Sequence, residues 1–278
     1  MLSVINVWRR LGYWPNYRRP SRFNEHFLRE KVHFSGDINL ARTLTDKVDF
    51  KEWLTDHGYE SYVIPTLMVA ETVDQMRSEM MPSRCVIKPA HSSGDLIILN
   101  EKKPRHLTND ELARISSWLN EDYYRRGREP NYKGLKRRVI VEDLLLDSSG
   151  QPPRDYKFEC AAGEPFMIQV DINRFSGHVR QLYSGDWQLL PYCTSLPRHP
   201  TPSPPPSQLS LAMDIARKLS APFRLCRVDL YLLGDNEIKI GEVTFYPANC
   251  AEIFEPRSGD LEAGRLIESL LQNHVTRD

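Results

Sequence analysis

The stretch from Arg227 to Thr244 constrains the fold of this chain more than any other. It reads RVDLYLLGDNEIKIGEVT: two strand-like halves rich in aliphatic and β-branched residues, joined by the turn signal Gly234-Asp235-Asn236. We expect a β-hairpin with a two-residue or four-residue loop. Both loops predict the same opposed pairs: Leu233 with Ile238, Tyr231 with Ile240, and Asp229 with Glu242. A three-residue loop would slide the last pair out of opposition.

Side chains alternate faces along a strand, so four polar residues of this hairpin are predicted to project from one face. They are Arg227, Asp229, Glu242 and Thr244. Opposed Cβ atoms lie about 4.5–5.5 Å apart, and two carboxylates at that distance repel each other unless a cation lies between them. Oxygen ligands of this kind suit Mg²⁺. The alternative is an exposed acidic pair that Arg227 and Lys239 neutralise.

Composition narrows the class of protein. The formal net charge is zero, which argues against a nucleic-acid binder driven by bulk charge. Five cysteines lie far apart without a CxxC pair, which predicts buried, reduced thiols and a cytoplasmic location rather than disulfides or a zinc site. No apolar run of about 18 residues predicts a membrane span, and the first residues lack the pattern of a signal peptide.

The domain organisation is predicted from the order of elements. Residues 1–44 form a basic, aromatic segment that we expect to pack on the main domain, with peripheral contact to the inner face of a membrane as the alternative. Residues 45–142 are expected to form a first lobe and residues 143–278 a second lobe that contains the hairpin. Antiparallel strands with helices on one side predict an α+β fold.

Common catalytic signatures, such as GxxxxGK[ST], GxGxxG, HExxH and GxSxG, do not occur in the sequence. Several charged residues on or next to predicted elements remain as candidates: Lys47, Lys88, Glu142, Lys157, Arg174, Arg227, Asp229 and Glu242. Lys88 ends a predicted strand and precedes HSSGD, a small-residue loop that can bring backbone N–H groups near a phosphate. Lysines, such a loop and a carboxylate pair are what a magnesium–nucleotide site needs.

The order of these motifs resembles the ATP-grasp superfamily. Within it, the chain is similar to the TupA-like group, which is associated with teichuronopeptide and other surface polysaccharides such as capsules of the cell envelope. The segments that carry the resemblance include LTDKVDFKEWL (44–54), VIKPAHSSG (86–94), DYYRRGREPNYKGLKRRVIVEDLL (122–145), DYKFECAAGEPFMIQVDINRFSGH (155–178) and RVDLY through GEVTFYP.

The resemblance implies a fold of two α+β lobes whose antiparallel sheets sandwich ATP, preceded by an N-terminal helical and aromatic segment. It also implies residue roles. Nucleotide-binding residues would be Lys47, Lys88, Ser92, Ser93, Gly94, Glu142, Leu144 and Lys157; Mg²⁺ ligands Asp229, Glu242 and Thr244; catalytic residues Arg227, Lys88 and Arg174.

The sequence departs from the family pattern in two loops. HSSG stands where the family would have HGSG, so Ser92 is expected to adopt a backbone conformation that glycine allows. Ala248-Asn249-Cys250 stands where relatives are usually rich in glycine, near the acceptor substrate. Thr244 stands where relatives often have an asparagine ligand.

The function that the resemblance implies is an ATP- and Mg²⁺-dependent carboxylate–amine ligase that forms an amide through an acyl phosphate. Its substrates would be an amino acid or amine and a carboxylate-bearing glycan, with polysaccharide-biosynthesis enzymes as partners. The alternatives are a kinase acting on a sugar or polyol hydroxyl, and a nucleotide-binding partner without catalysis. The basic run from Arg125 to Arg138 is most simply a solvated face, and the resemblance makes it a candidate for binding an anionic glycan.

Overall fold

A computed structural model describes residues 2–174, 177–234 and 237–275, so Asp235 and Asn236 of the predicted turn lie outside the described residues. The chain divides into two compact units: unit 1 comprises residues 1–38 and 152–278, and unit 2 comprises residues 39–151. These boundaries differ from the expected ones after residues 44 and 142. The extended segment that follows Glu142 stays with unit 2, because the amide of Asp143 donates a hydrogen bond to Pro65 O at 3.1 Å.

Unit 1 begins with two helices, α1 (Leu2–Leu11) and α2 (Phe23–Val32). Val4, Val7 and Leu11 form the buried stripe of α1, whereas its arginines are exposed. The second of these helices belongs to the helical N-terminal segment that the resemblance implied. The following α3 (Ile38–Thr45), which leads into unit 2, was not predicted from the sequence.

Unit 2 is built around a four-stranded antiparallel sheet with strand order β1-β4-β2-β3. Its remaining elements in chain order are α4 (Lys47–Asp56), β1 (Thr66–Ala70), α5 (Val73–Ser78), β2 (Arg84–Pro89), β3 (Ile97–Asn100), α6 (Asn109–Asn120), α7 (Tyr124–Gly127) and β4 (Val139–Glu142). A capping box starts α6: Thr108 Oγ1 accepts from the amide of Glu111, and the Glu111 carboxylate accepts from the amide of Thr108. The stripe of Leu112, Ile115 and Trp118 on α6 belongs to the core of this unit.

The remainder of unit 1 contains a five-stranded antiparallel sheet with strand order β10-β9-β5-β6-β7. Its elements are β5 (Asp155–Ala161), β6 (Glu164–Ile172), β7 (Val179–Ser184), β8 (Cys193–Thr194), α8 (Leu209–Ser220), β9 (Leu225–Leu233), β10 (Glu237–Thr244), β11 (Phe254–Glu255) and α9 (Ser258–Val275). Helix α8 packs against β5, β6 and β9, and α2 packs against α9. The alternation of side chains leaves one face apolar and the other charged.

The register of the β9–β10 hairpin differs from the prediction near its turn. Leu233 pairs with Glu237 and Tyr231 pairs with Lys239, so the predicted pairs of Leu233 with Ile238 and Tyr231 with Ile240 are wrong. Three residues lie between Leu233 and Glu237 in the sequence, and a spacing of three should have separated the acidic pair. A β-bulge between Ile240 and Glu242 then shifts the register by one residue.

This bulge restores the predicted pairing of Asp229 with Glu242 and of Arg227 with Thr244. The bulged residue is Gly241, whose position leaves almost no room for a side chain. A Cβ atom there would lie 3.0 Å from the Tyr231 ring and 3.1 Å from Asp229 O. Glycine therefore permits the close approach that the bulge requires.

All five cysteines are buried, as the sequence predicted. Among the helices of the described residues, none combines the length and apolar character that crossing a membrane requires.

Candidate functional site

The carboxylate of Asp229 lies at the centre of a buried charged cluster on the polar face of unit 1. Only 5% of the residue is exposed. Arg227 donates to both of its oxygens, at 2.6 and 2.8 Å, and Lys157 Nζ donates to Oδ2 at 2.8 Å. Burial alone would raise the pKa of Asp229, but the two cations outweigh it and hold that pKa at about 2. Asp229 is therefore ionised over the whole physiological range.

Glu242 and Thr244 complete the same face from the neighbouring strand. Arg227 lies 3.5 Å from Glu242 Oε1 and donates to Thr244 Oγ1 at 3.2 Å. Thr244 Oγ1 in turn donates to Glu242 Oε1 at 3.3 Å. The Glu242 side chain is 36% exposed, so this carboxylate is the solvent-facing member of the acidic pair.

Glu159 is a third carboxyl group on this face and was not predicted as a site residue. It lies opposite Arg227 in the β5–β9 register and is 3% exposed. Its Oε2 atom is buried without a hydrogen-bond partner in the described part of the chain. Burial raises the pKa of Glu159 to about 8, although Arg227 attracts the ionised form. The sequence signal was the alternation of Asp155, Lys157 and Glu159 along β5, which places all three on the polar face.

Arg174 follows β6 and lies on the same sheet as these groups, but it contacts a different carboxylate. Its guanidinium donates to Asp155 Oδ2 at 2.8 Å. Asp155 pairs with Tyr231 in the β5–β9 register, two residues along from the position opposite Asp229. The structure thus brings Lys157, Arg227, Asp229, Glu242 and Thr244 together, with Arg174 at the neighbouring position.

In unit 2, Lys47 and the loop after β2 form a second polar cluster. Lys47 is the first residue of α4, and its Nζ donates to Ser92 O at 2.5 Å. Ser92 is buried, and its hydroxyl has no hydrogen-bond partner within the described residues. The expectation that Ser92 needs a glycine-like backbone is wrong, because Gly94 is the residue of this loop with a positive φ, of 95°. Ser93 lies between them and is half-buried.

Glu142 ends β4 as a buried carboxylate held by two lysines. Lys88 Nζ lies 2.5 Å from its Oε2 and Lys51 Nζ lies 2.6 Å from its Oε1. Burial opposes ionisation, but Lys88 and Lys51 outweigh it, so the pKa of Glu142 is lower than usual. Sequence reasoning missed Lys51, which is on α4 one turn after Lys47. Leu144, the other predicted nucleotide contact here, is half-buried just beyond the strand.

The loop after β10 has an unusual backbone. Ala248, Asn249 and Cys250 all have positive φ, between 45° and 63°, which costs non-glycine residues roughly 1–2 kcal/mol each. Cys250 is fully buried, and the side chain of Lys31 on α2 donates to Asn249 Oδ1. The chain therefore adopts, without glycine, a conformation for which glycine is usual.

The donor sets of the two units fit magnesium and a nucleotide. Among the described residues, no group of three or more His, Cys, Asp and Glu side chains could hold a metal by itself. Mg²⁺ in phosphate-transfer sites, however, usually takes one or two carboxylates and completes its shell with phosphate oxygens and water. Asp229 and Glu242 satisfy that requirement, and the orphaned Ser92 hydroxyl beside Lys47 suits a phosphate oxygen.

Comparison with known proteins identifies the family. The TupA-like ATPgrasp family matches residues 30–268. No curated protein matches the chain. Similar solved structures include the ATP-grasp ligase PsnB complexed with a phosphomimetic variant of its minimal precursor, Mg and ADP (13% identity, 90% of this chain, 65% of that chain, TM-score 0.46).

Two others are an L-amino acid ligase from Bacillus licheniformis (13% identity, 72% of this chain, 42% of that chain, TM-score 0.46) and a D-alanine–D-alanine ligase from Bacillus anthracis (14% identity, 82% of this chain, 66% of that chain, TM-score 0.43). The chain spans less than two thirds of the length of each of these three proteins. The family match covers most of the sequence, including the cluster around Asp229 in unit 1 and the groups around Lys47 and Glu142 in unit 2. The chain therefore belongs to the TupA-like ATP-grasp family.

Proposed function

We propose that this protein is an ATP- and Mg²⁺-dependent carboxylate–amine ligase. It would join an amino acid or amine to the carboxylate of a uronic acid in a cell-surface polysaccharide or its precursor. The observation that carries the proposal is the pairing of Asp229 with Glu242, flanked by Arg227 and Lys157, on one face of the unit 1 sheet. Such an enzyme would act in the cytoplasm, where ATP is available, with polysaccharide-biosynthesis enzymes as partners.

Each cluster has a defined task in this proposal. When bound to Asp229 and Glu242, with Thr244 as the third candidate ligand, Mg²⁺ would neutralise phosphate charge. Lys47, Lys88 and the 92–94 loop would hold phosphates, and Glu142 with the backbone at Leu144 would hold the adenosine. Lys88 and Lys47 are engaged by Glu142 and by Ser92 O. We therefore expect both amines to exchange these partners for phosphate oxygens when the nucleotide binds.

Arg227 is the proposed catalytic cation. A carboxylate oxygen of the acyl donor attacks the γ-phosphorus, the bond to the ADP oxygen breaks, and an acyl phosphate results. The amine then attacks the carbonyl carbon, inorganic phosphate leaves, and the nitrogen loses a proton. Negative charge moves onto phosphate oxygens in both steps, and a fixed guanidinium stabilises it without reorganisation. Arg174 would stabilise charge on the same face.

Hydroxylamine trapping tests the proposal. Purified protein is incubated with ATP, Mg²⁺, candidate uronic acids and hydroxylamine, and ADP and hydroxamate are both measured. A ligase releases ADP and forms hydroxamate, because hydroxylamine captures the activated acyl group. A kinase releases ADP without hydroxamate, and a non-catalytic partner binds Mg–ATP without releasing ADP. Asp229→Asn is the control for background hydrolysis, and either of the last two results with every acyl donor would refute the ligase.

A further inference from the structure

Unit 2 contains a cavity of about 480 Å³ that the proposed nucleotide contacts do not use. Most of its lining residues belong to the segment 121–137, which connects α6 to β4, and His91 also lines it. The volume lies within the range of roughly 300–1,000 Å³ that is usual for small-molecule sites. The basic run that the sequence suggested as a solvated face is therefore folded around a concave surface.

His91, which lines the cavity, is held in a fixed position beside the proposed phosphate loop. His91 Nε2 lies 3.1 Å from Trp118 O, and its Nδ1 accepts from the amide of Arg138 at 3.3 Å. His91 is buried and immediately precedes Ser92. A ligand in contact with His91 would therefore lie next to the loop that contains Ser92, whose hydroxyl has no hydrogen-bond partner within the described residues.

The charges that line the cavity do not cancel. Its two acidic residues are already paired: Asp122 lies 3.1 Å from Arg125, and Glu121 lies 3.8 Å from Arg126. Three other basic residues of the lining have exposed side chains and no carboxylate partner within the described part of the chain: Arg128, Lys133 and Arg137. The cavity therefore presents a surplus of cations, which favours an anionic ligand.

The aromatic side chains of the lining favour a ligand with a ring. Tyr123 and Tyr132 pack edge to face with ring centroids 4.6 Å apart, and all three tyrosines of the cavity are half-buried. Arg128 and Lys133 lie 5.6 and 5.9 Å from the centroid of the Tyr124 ring, so this ring helps to position two of the surplus cations. Tyrosine offers an apolar ring face together with a hydroxyl, which suits the mixed apolar and hydroxylated faces of a sugar.

We propose that this cavity binds a saccharide that bears a carboxylate. Arg128 and Arg137 would bind the carboxylate, because the planar guanidinium matches its two oxygens, and Lys133 would add a third positive charge. The tyrosines would contact the sugar ring. The inference rests on the proposed function only for the role of this ligand as acyl donor. Binding itself requires neither ATP nor turnover.

Direct binding measurements without nucleotide test this inference separately from catalysis. The probe is digalacturonate, and the matched neutral probe is the corresponding digalactoside; AMP and inorganic phosphate are the competing anions. Each is titrated into the full chain by calorimetry and by saturation-transfer NMR. The cavity variant is Arg128→Gln/Arg137→Gln. The control variant is Lys102→Gln/Lys103→Gln, which removes the same charge from exposed positions of unit 2 outside the cavity.

We expect the wild type and the control variant to bind digalacturonate equally within about twofold, and the cavity variant to bind it at least tenfold more weakly. The digalactoside should bind at least tenfold more weakly than digalacturonate to the wild type. Equal losses in both variants would show a bulk charge effect and overturn the inference. So would binding of AMP or phosphate in preference to digalacturonate, or no digalacturonate binding by the wild type. If the double variant does not fold, Lys133→Gln alone provides the same comparison.

If hydroxylamine trapping shows no ligase activity but digalacturonate binds in the cavity, the proposed function fails and this inference stands. The reverse result would leave a ligase whose acyl donor binds elsewhere. The two measurements therefore separate the two failures.

Discussion

Replacing Glu159 by glutamine should make the stability of unit 1 less sensitive to alkaline pH. Glu159 is buried opposite Arg227, with Asp229, Lys157 and Glu252 also acting on its charge, and its pKa is raised to about 8 by burial. With Glu159 neutral, the ionised groups of the cluster balance: Arg227 and Lys157 against Asp229 and Glu242. Ionising Glu159 would add a third negative charge, and a fully buried one, to two cations.

The sign of the effect follows from proton linkage. In the unfolded chain a glutamate ionises near its ordinary pKa of 4.5, whereas in the folded protein Glu159 keeps its proton until about pH 8. Between these values the folded state holds a proton that the unfolded state has lost, so the free energy of unfolding falls as pH rises. At about 1.4 kcal/mol per pH unit, the interval of about 3.5 units sets an upper bound of roughly 5 kcal/mol.

Glutamine has the shape of a protonated glutamate and cannot ionise. We expect Glu159→Gln to match the wild type in stability below about pH 4.5 and to exceed it increasingly toward pH 8.5. Movement of Glu159 toward Arg227 or water would reduce the gain, so we expect about 2 kcal/mol or more at pH 8.5. Urea unfolding followed by circular dichroism between pH 4.5 and 9 measures the difference.

Glu255→Gln is the matched control, because Glu255 is exposed on the short strand β11 of the same unit. The difference between this variant and the wild type gives the baseline for replacing a glutamate of unit 1 by glutamine. If the difference between Glu159→Gln and the wild type is flat across the same pH range, or if Glu159→Gln is less stable than the wild type at pH 8.5, the charge balance described for this cluster is wrong.

Three further predictions concern Asp229, Gly241 and Lys51. Asp229→Asn should reduce Mg–ATP turnover at least a hundredfold in ADP-release assays. It should also lower the free energy of unfolding in urea by about 3–5 kcal/mol, because it leaves two cations buried without their partner. The control Asp214→Asn, at an exposed position of α8, should change neither quantity. Gly241→Ala should lower the free energy of unfolding by about 1–3 kcal/mol, since the added methyl group would lie 3.0–3.1 Å from Tyr231 and Asp229. A calorimetric titration of this variant with Mg–ATP should also show weaker binding than the wild type. Lys51→Met should destabilise the protein by about 1–3 kcal/mol at pH 7 and by less toward pH 3. The reason is that the lowered pKa of Glu142 contributes stability that is lost as the carboxylate is protonated. A loss of the same size at pH 3 and pH 7 would contradict the pairing of Lys51 with ionised Glu142 as the source of this stability.

Residue patterns predicted the elements of this fold better than their local geometry. Period-two alternation on β6 and the capping box at Thr108 depend on neighbouring residues alone, so the sequence is sufficient to predict both. The hairpin register was predicted only in part. Its turn has the three-residue length that was expected to break the acidic pair, and the compensating bulge depends on contacts of Gly241 with the adjacent strand.

The missed site residues have a common physical cause. No sequence motif assigns a role to Lys51 or Glu159. Each is important because a strand or helix from elsewhere in its unit brings an opposite or competing charge to it. Glu142 was predicted as a nucleotide contact, but its two lysine partners depend on the packing of α4 beside the β4–β2 pair. The order of motifs along the chain therefore identified the strands that carry charge, whereas the pairing of those charges required the three-dimensional structure.

The bulge at Gly241 connects the fold to the proposed chemistry. Without it, the register set by the three-residue turn would place Asp229 opposite Gly241 and turn Glu242 toward the apolar face of the sheet, since a one-residue slip exchanges the faces of a strand. The carboxylate of Glu242 would then lie among residues such as Val228 and Leu230, where its burial would be costly. A single glycine thus keeps the core apolar and at the same time sets two carboxylates side by side. The stability of the sheet and the proposed metal site therefore depend on the same residue.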